Sequence, residues 1–302
     1  MSDSLKYEVI IIGGSYAGLS AAMALGRALR NVLIIDSGLP CNRQTPYSHN
    51  FITQDGEKPN IIAEKAKAQV LKYNTIKFLN DFVVSGKKNE NGFVITTKTG
   101  ENYVSKKLIF ATGIKDIMPD IKGFAECWGT SVIHCPYCHG YEVKREKTGI
   151  LANGQFAYHY AQLIRNWTED LTIFTNGLSM LTDEQLDKIG KHNIPVIEKE
   201  IDFLEHGNGK VEQVVFKDKS MVDIKAIYSR PEFEQHCKIP ESLGCELTEL
   251  GLLKVDMFQK TTVIGVYACG DNTSPMRSVA NAVAAGNLVG AVLNNEMTLE
   301  GF

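Results

Sequence analysis

The pattern strand, glycine-containing turn, helix, strand occurs twice in this chain, at residues 7–35 and again at 148–175. No other feature restricts the fold as much. Tyr7–Ile12 is an apolar strand run, Gly13-Gly14-Ser15-Tyr16-Ala17-Gly18 forms the turn, Ala17–Arg30 carries helical spacing, and Val32–Ile35 returns to strand. The echo runs from Thr148–Ala152 through a helix at Phe156–Trp167 to a strand at Leu171–Thr175. Strands alternating with helices build parallel sheets, so the expected class is α/β. Further helices are expected at Pro59–Tyr73 and Val279–Leu293, and strands at Phe93–Thr97, Tyr103–Phe110 and Val263–Ala268. Ser37 to Lys58 reads as a polar loop. The 302 residues, at roughly 100–200 per domain, predict about two domains.

The first turn matches a Rossmann dinucleotide site, where glycines serve the tight turn, the approach of backbone to pyrophosphate, and helix-on-strand packing. Gly13 and Gly18 fill the outer places, and Ser15 stands at the middle one. Serine is small enough for an anion to reach the helix N-terminus. Asp36 ends the second strand about 20 residues on, where a carboxylate suits a ribose hydroxyl pair. The second turn, Ala152-Asn153-Gly154-Gln155-Phe156-Ala157, keeps only Gly154 of the glycines. Its strand ends Phe174-Thr175-Asn176-Gly177, with neither an acid for a ribose nor an arginine for a 2′-phosphate. The expected architecture is two Rossmann-like nucleotide-binding domains, with NAD(P)H binding by the second left open.

His134-Cys135-Pro136-Tyr137-Cys138-His139 carries the sharpest chemical signal. A Cys-x-x-Cys pair closes a small disulfide, and flanking imidazoles can exchange the proton that thiol–disulfide chemistry moves. A structural zinc site would need four ligands, and no second Cys-x-x-Cys exists here. A pair of core thiols is the remaining plain reading. Cys41, Cys127, Cys237, Cys245 and Cys269 are isolated and read as small buried hydrophobes. Of the remaining histidines only His49, in the polar loop, draws attention.

Composition removes other classes. A net charge of −3 and a pI near 6.2 argue against nucleic-acid binding, which needs a basic face. No apolar run reaches the roughly 18 residues of a membrane span. Lys6 and Glu8 precede the N-terminal apolar block and Gly13-Gly14 interrupts it, so it reads as strand and helix rather than a secretory signal. Unpaired thiols then imply a cytoplasmic protein.

With the first turn, the dithiol and Ala268-Cys269-Gly270-Asp271 on the page, the chain resembles the low-molecular-weight thioredoxin reductases nearly end to end. Ala111-Thr112-Gly113 after a strand, and Arg277-Ser278 before the closing helix, carry the likeness further. It implies a discontinuous FAD-binding domain, here 1–112 plus 242–302. A pyridine-nucleotide-type domain at 113–241 would be inserted into it and carry the redox cysteines. It implies FAD pyrophosphate on Gly13, Gly14, Ser15, Ala17 and Gly18, and FAD ribose on Asp36. Asn50 would lie near the flavin and Val83 near the adenine, and Ala111-Thr112-Gly113 would be cofactor-binding as well. Gly270, Asp271 and the backbone of Arg277-Ser278 would serve the ribityl chain and ring. Cys138 matches the thiol that faces the flavin, Cys135 the interchange thiol, and His139 stands where the family has an acid/base aspartate. A homodimer and a thioredoxin-like partner are implied as well.

Three departures qualify the likeness: His139, Ser15, and the missing arginines after Phe174. Cys135-Pro136-Tyr137-Cys138-His139-Gly140-Tyr141-Glu142 looks more like a branch that includes dithiol oxidases, which close a small metabolite dithiol and pass electrons to oxygen. The expected function is FAD-dependent thiol–disulfide exchange at Cys135–Cys138. Its expected form is thioredoxin reductase-like, with hinges near Gly113 and Pro240 where NAD(P)H feeds the flavin; the alternatives are a small-dithiol oxidase using oxygen and a ferredoxin-fed reductase without NADPH. A non-catalytic flavin or zinc module is the reading from outside enzymology.

Overall fold

The structure, a computed structural model, describes residues 5–302. The chain begins with β1 (Leu5–Ile12), α1 (Tyr16–Arg27), β2 (Val32–Asp36), α2 (Pro59–Val70) and β3 (Ile76–Asn80). Then come β4 (Val83–Asn89), β5 (Gly92–Thr97), β6 (Asn102–Phe110) and β7 (Ile114–Ile117). A middle region holds α3 (Phe124–Cys127), β8 (Val132–Ile133), α4 (Pro136–His139), β9 (Thr148–Leu151), α5 (Gly154–Ile164) and β10 (Leu171–Phe174). It continues with α6 (Asp183–Gly190), β11 (Val196–Ile197), β12 (Ile201–Gly207), β13 (Lys210–Phe216), β14 (Met221–Asp223) and β15 (Ala226–Ser229). The chain closes with β16 (Glu232–Gln235), α7 (Ile239–Ser242), β17 (Val266–Ala268) and α8 (Val279–Gly301).

β1 is apolar at every position from Val9 to Ile12 because it is covered on both faces, as parallel strands are. Val9 and Ile11 face a core shared with α1 and α8, and Ile10 and Ile12 face Phe93, Phe110 and Leu253. The first sheet runs β3-β2-β1-β6-β5-β4, with β17 also on β6. Its β1, β2, β3, β6 and β17 pairings are parallel, and β4-β5-β6 form an antiparallel extension. α8 lies directly on α1. A Cβ on Gly286 would fall on the Ala17 carbonyl, and one on Gly290 would come within 2.7 Å of the Ala21 carbonyl. The two glycines therefore set the helix spacing.

The second sheet, β11-β10-β9-β15-β8, is wholly parallel. α5 covers one face through Ala157, Tyr160 and Ile164. The three-stranded antiparallel sheet β12-β13-β14 covers the other, packing Leu204, Val214 and Phe216 against Phe174 and Ile227. An α/β architecture with two nucleotide-type sheets agrees with the expectation from sequence.

Several boundaries differ. α1 stops at Arg27 because Leu29 enters the left-handed region at φ 62°. α8 runs on to Gly301, where Glu296 and Glu300 hold Lys107. β17 begins only at Val266. β7 and β16 form an antiparallel pair, Ile114 opposite Gln235, that carries the chain between the two units. Ile239 is buried in the first unit's core and Cys237 packs against it, so the chain has returned by 237. Pro240 is buried as well, a few residues before the expected return at 242. Among the described residues, no helix is long and apolar enough to cross a membrane.

Candidate active site

The C-terminal ends of β1, β6 and β17 bring Gly13, Ala111 and Gly270 together. A Cβ on Gly13 would fall on the Ala111 carbonyl, and one on Gly18 on the Gly13 carbonyl. One on Gly14 would lie 2.8 Å from both Asp36 Cβ and the Phe78 ring. These three glycines are thus imposed by the close approach of backbone to backbone and side chain. Asp36 receives the Gly14 N–H on Oδ1 at 2.8 Å and the Gly38 N–H on Oδ2 at 3.0 Å, which sets its carboxylate beside the turn. Its carbonyl accepts the Asp81 N–H at 3.1 Å and draws the start of β4 to the same place. Val83 stands there with its side chain buried in the core.

Ser15 is the N-cap of α1 yet makes no side-chain cap, and the first turn holds no acid. The leading N–H groups of α1, on Tyr16 and Ala17, therefore point outward without a side-chain acceptor. Gly113 takes a left-handed φ of 64° just beyond Ala111-Thr112, and Asn272 donates to the Phe110 carbonyl at 2.9 Å. The Asn272 Oδ1 is buried with no partner.

Beyond β17, burial pushes the Asp271 carboxyl up to about 6, with the Arg277 guanidinium opposing that rise. Arg277 binds Asp116 of β7 in a fork, at 2.8 and 2.9 Å, and reaches Cys41 Sγ at 3.5 Å. Ser278 caps α8 by accepting the Asn281 N–H at 3.1 Å. Cys41 was expected to be a buried hydrophobe. It is exposed instead, with its thiol against Arg277, because it lies on the loop that borders this site. Cys127, Cys245 and Cys269 are buried as expected.

α4 follows Cys135 as its N-cap, with Pro136 in the first helical place. The turn closes through the Cys138 and His139 N–H groups, each 3.2 Å from the Cys135 carbonyl, and Cys135 and Cys138 are disulfide-bonded. Tyr160 donates to the His134 carbonyl at 2.7 Å, and the His134 ring stacks on Trp128. A Cβ on Gly140 would fall on the Pro136 carbonyl and within 2.9 Å of Trp167. Burial holds His134 down to about 3, with Arg277, His139 and Arg230 adding to the shift. His139 is held down to about 4, first by burial and then by His49. Both rings are therefore neutral at neutral pH while the pair is oxidised. The His134 ring, half-buried and stacked on Trp128, leaves its Nε2 buried with no hydrogen-bond partner.

His49 proves to be more than a loop residue. The loop is closed by Ser48 N–H to Glu57 carbonyl (2.8 Å) and Gly56 N–H to Ser48 carbonyl (2.9 Å). Asn50, exposed and left-handed at φ 59°, gives its N–H to Asp55 at 2.7 Å. His49 then stands with Nδ1 3.7 Å from Asp55 and Nε2 3.5 Å from Glu142. The first unit's loop thus touches the segment just past the dithiol. No sequence spacing announces a contact between residues so far apart in the chain.

The second glycine turn is built differently. Asn153 caps α5, accepting the Gly154 N–H at 2.8 Å and the Met180 N–H at 2.7 Å while donating to the Leu178 carbonyl at 2.9 Å. Glu198 accepts the Ser179 N–H at 2.9 Å beside the end of β10. The sequence showed no acid there because Glu198 arrives from β11, not from β10.

Residues 7–286 match the family described as pyridine nucleotide-disulphide oxidoreductase. The chain belongs to this family. The oxidoreductase is 32% identical to thioredoxin reductase tcpT of Claviceps purpurea, over 98% of this chain and 96% of that protein. It is 31% identical to thioredoxin reductase sirT of Leptosphaeria maculans, over 95% of this chain and 93% of that one. A putative thioredoxin reductase TrxB from Bacillus anthracis, of known structure, superposes with a TM-score of 0.93 at 33% identity, covering 98% of this chain and 100% of that chain. The resemblance to thioredoxin reductases drawn from the motifs agrees with these matches.

The two nucleotide groups such an oxidoreductase implies fare differently against the residues present. At α1 the uncapped N-terminus, the three obligatory glycines, Asp36 and the unpartnered Asn272 oxygen fit a dinucleotide such as FAD. At α5 the Asn153 side chain takes the Gly154 amide and pins the Met180 loop to the helix N-terminus, and the Glu198 carboxylate on the neighbouring Ser179 amide adds a negative charge beside it. That arrangement does not fit a pyridine nucleotide, and no step is derived through one.

Proposed function

We propose that this oxidoreductase holds FAD at the first glycine turn and exchanges two electrons between it and Cys135–Cys138. That pair then trades them with an external thiol or disulfide. The observation that carries the reading is the contact of His49 with Glu142, which brings the dithiol segment against the unit that holds the glycine turn. Gly13, Gly14, Ser15, Ala17 and Gly18 receive the pyrophosphate and Asp36 the ribose. Asp271 and the Arg277-Ser278 backbone, with Asn50 and Ala111-Thr112-Gly113, surround the remainder. Bound there, FAD supplies a two-electron donor and acceptor.

Cys135 meets the incoming thiol and Cys138 faces inward. His139, neutral with the pair closed, accepts the thiol's proton. A thiolate formed beside it strengthens its hold on that proton. The names of the relatives support a thioredoxin-like protein as the partner. A homodimer in the cytoplasm belongs to the same reading. A second reading, oxidation of a small dithiol with oxygen as acceptor, draws support from the self-capped α5.

The experiment is anaerobic addition of dithiothreitol to the purified yellow protein. The flavin band should bleach in the wild type and persist in Cys138→Ser. Asp36→Ala should retain less flavin. A protein that never takes up flavin, or one that bleaches equally without Cys138, would overturn the proposal.

A further inference from the structure

β15 and β8 run parallel, with Ile227 beside Val132 and Tyr228 beside Ile133. The ladder ends there: β8 stops at Ile133 and the chain bends at His134 into the dithiol turn, while β15 runs on to Ser229 and Arg230 follows it on the same side of the sheet. On its other side β15 pairs Ser229 with Leu151, so Arg230 also borders the Ala152-Asn153 turn. This is the C-terminal edge of a parallel sheet, where open α/β folds place their ligands.

Arg230 is exposed and has no carboxylate within ion-pair distance among the described residues. Its guanidinium lies 5.5 Å from the Phe156 ring centroid, and Phe156 is itself packed on Tyr160, whose hydroxyl holds the His134 carbonyl. The cation is thus steadied by an aromatic face beside the dithiol while its N–H groups stay open. Arg277, the other guanidinium whose charge reaches His134, is already engaged by Asp116. Tyr137, between the two cysteines, is 63% exposed and offers an incoming thiol an apolar contact beside the pair. A planar guanidinium fork fits a carboxylate.

We propose that Arg230 anchors a carboxylate on the thiol substrate, so that Cys135–Cys138 prefers anionic dithiols and disulfides to neutral ones. This rests on the exchange reading above and names the substrate class of the same site. A substrate thiolate attacks one sulfur of the pair, breaking the Cys135–Cys138 bond and forming a mixed disulfide. The second substrate thiol then displaces the remaining enzyme sulfur. Two electrons and two protons pass from substrate to the pair, and one disulfide forms as one breaks.

The test follows reduction of the holoenzyme pair by timed alkylation and mass counting of Cys135 and Cys138, in wild type, Arg230→Gln and Arg230→Lys. The reductants are dithiothreitol, which is neutral, dimercaptosuccinate, which carries two carboxylates, and an acidic reduced thioredoxin-fold protein. After correction for each thiol's ionised fraction, wild type should favour dimercaptosuccinate by about tenfold, a gap that salt narrows. In Arg230→Gln the preference should fall to within about twofold, and Arg230→Lys should keep part of it. A preference for the acidic protein alone, lost in Arg230→Gln, would assign the carboxylate to a protein partner and support the proposal. Because a ratio between substrates is read, a general loss of stability in a variant divides out. Equal rates in wild type, or an undiminished ratio in Arg230→Gln, would overturn it. Failure of every thiol to open the disulfide would instead sink the exchange reading beneath it.

Discussion

His49 Nε2 stands 3.5 Å from a Glu142 carboxylate oxygen and joins the first unit's loop to the dithiol segment. Glu142 is 41% exposed, so the pair is worth no more than ~0.2–1 kcal/mol. Its consequence is positional. Glu142→Gln should slow single-turnover transfer between thiol and flavin by about two- to fivefold, with flavin content intact. An unchanged transfer rate would detach this contact from the function.

Acid should weaken the fold through the buried imidazoles. His134 and His139 are held at about 3 and about 4 against an ordinary 6.5, so between those values the unfolded chain binds more protons than the folded one. Stability is therefore full above pH 6.5 and falls as pH drops toward 4. The His134 contribution is on the order of 3 kcal/mol. Urea midpoints measured across this range should fall less steeply in His134→Asn. Parallel curves for the two proteins would remove His134 from the account.

The α1–α8 seam should be intolerant of a single methyl group. Gly286→Ala drives a Cβ onto the Ala17 carbonyl, at a cost of about 2 kcal/mol and a melting-point fall of about 4–8 °C. Ala17 is in the first glycine turn, so flavin retention should fall with it. Gly190→Ala, at the end of α6 with open space around it, is the control and should leave the melting point nearly unmoved.

The closed α5 terminus predicts that NADPH and NADH show no saturable binding by calorimetry. Asn153→Ala frees the Gly154 and Met180 amides and should lower stability by about 1 kcal/mol, as loss of a helix cap does. Micromolar binding of either nucleotide to the wild type would contradict the structural reading of this turn.

Much of the architecture can be read locally, because strand and helix periods are written in neighbouring residues. The run from Val9 to Ile12, the glycine turn and the Cys-x-x-Cys pair each declare themselves within a few positions. The antiparallel sheet β12-β13-β14 carries a local mark too, since Asn208-Gly209, both left-handed, separates two of its strands as a hairpin turn.

What no local window contains is the meeting of residues remote in the chain. Sequence alone determined the repeated α/β units, the redox pair and the acid at the end of β2, since covalent spacing dictates those patterns. Only tertiary structure decided that His49 reaches Glu142, that Asn153 caps its own helix terminus and pins Met180 to it, and that Arg230 stands over Phe156 near the dithiol turn. Such relations depend on how sheets stack and loops close, and packing of the whole chain, not the order of adjacent side chains, selects them.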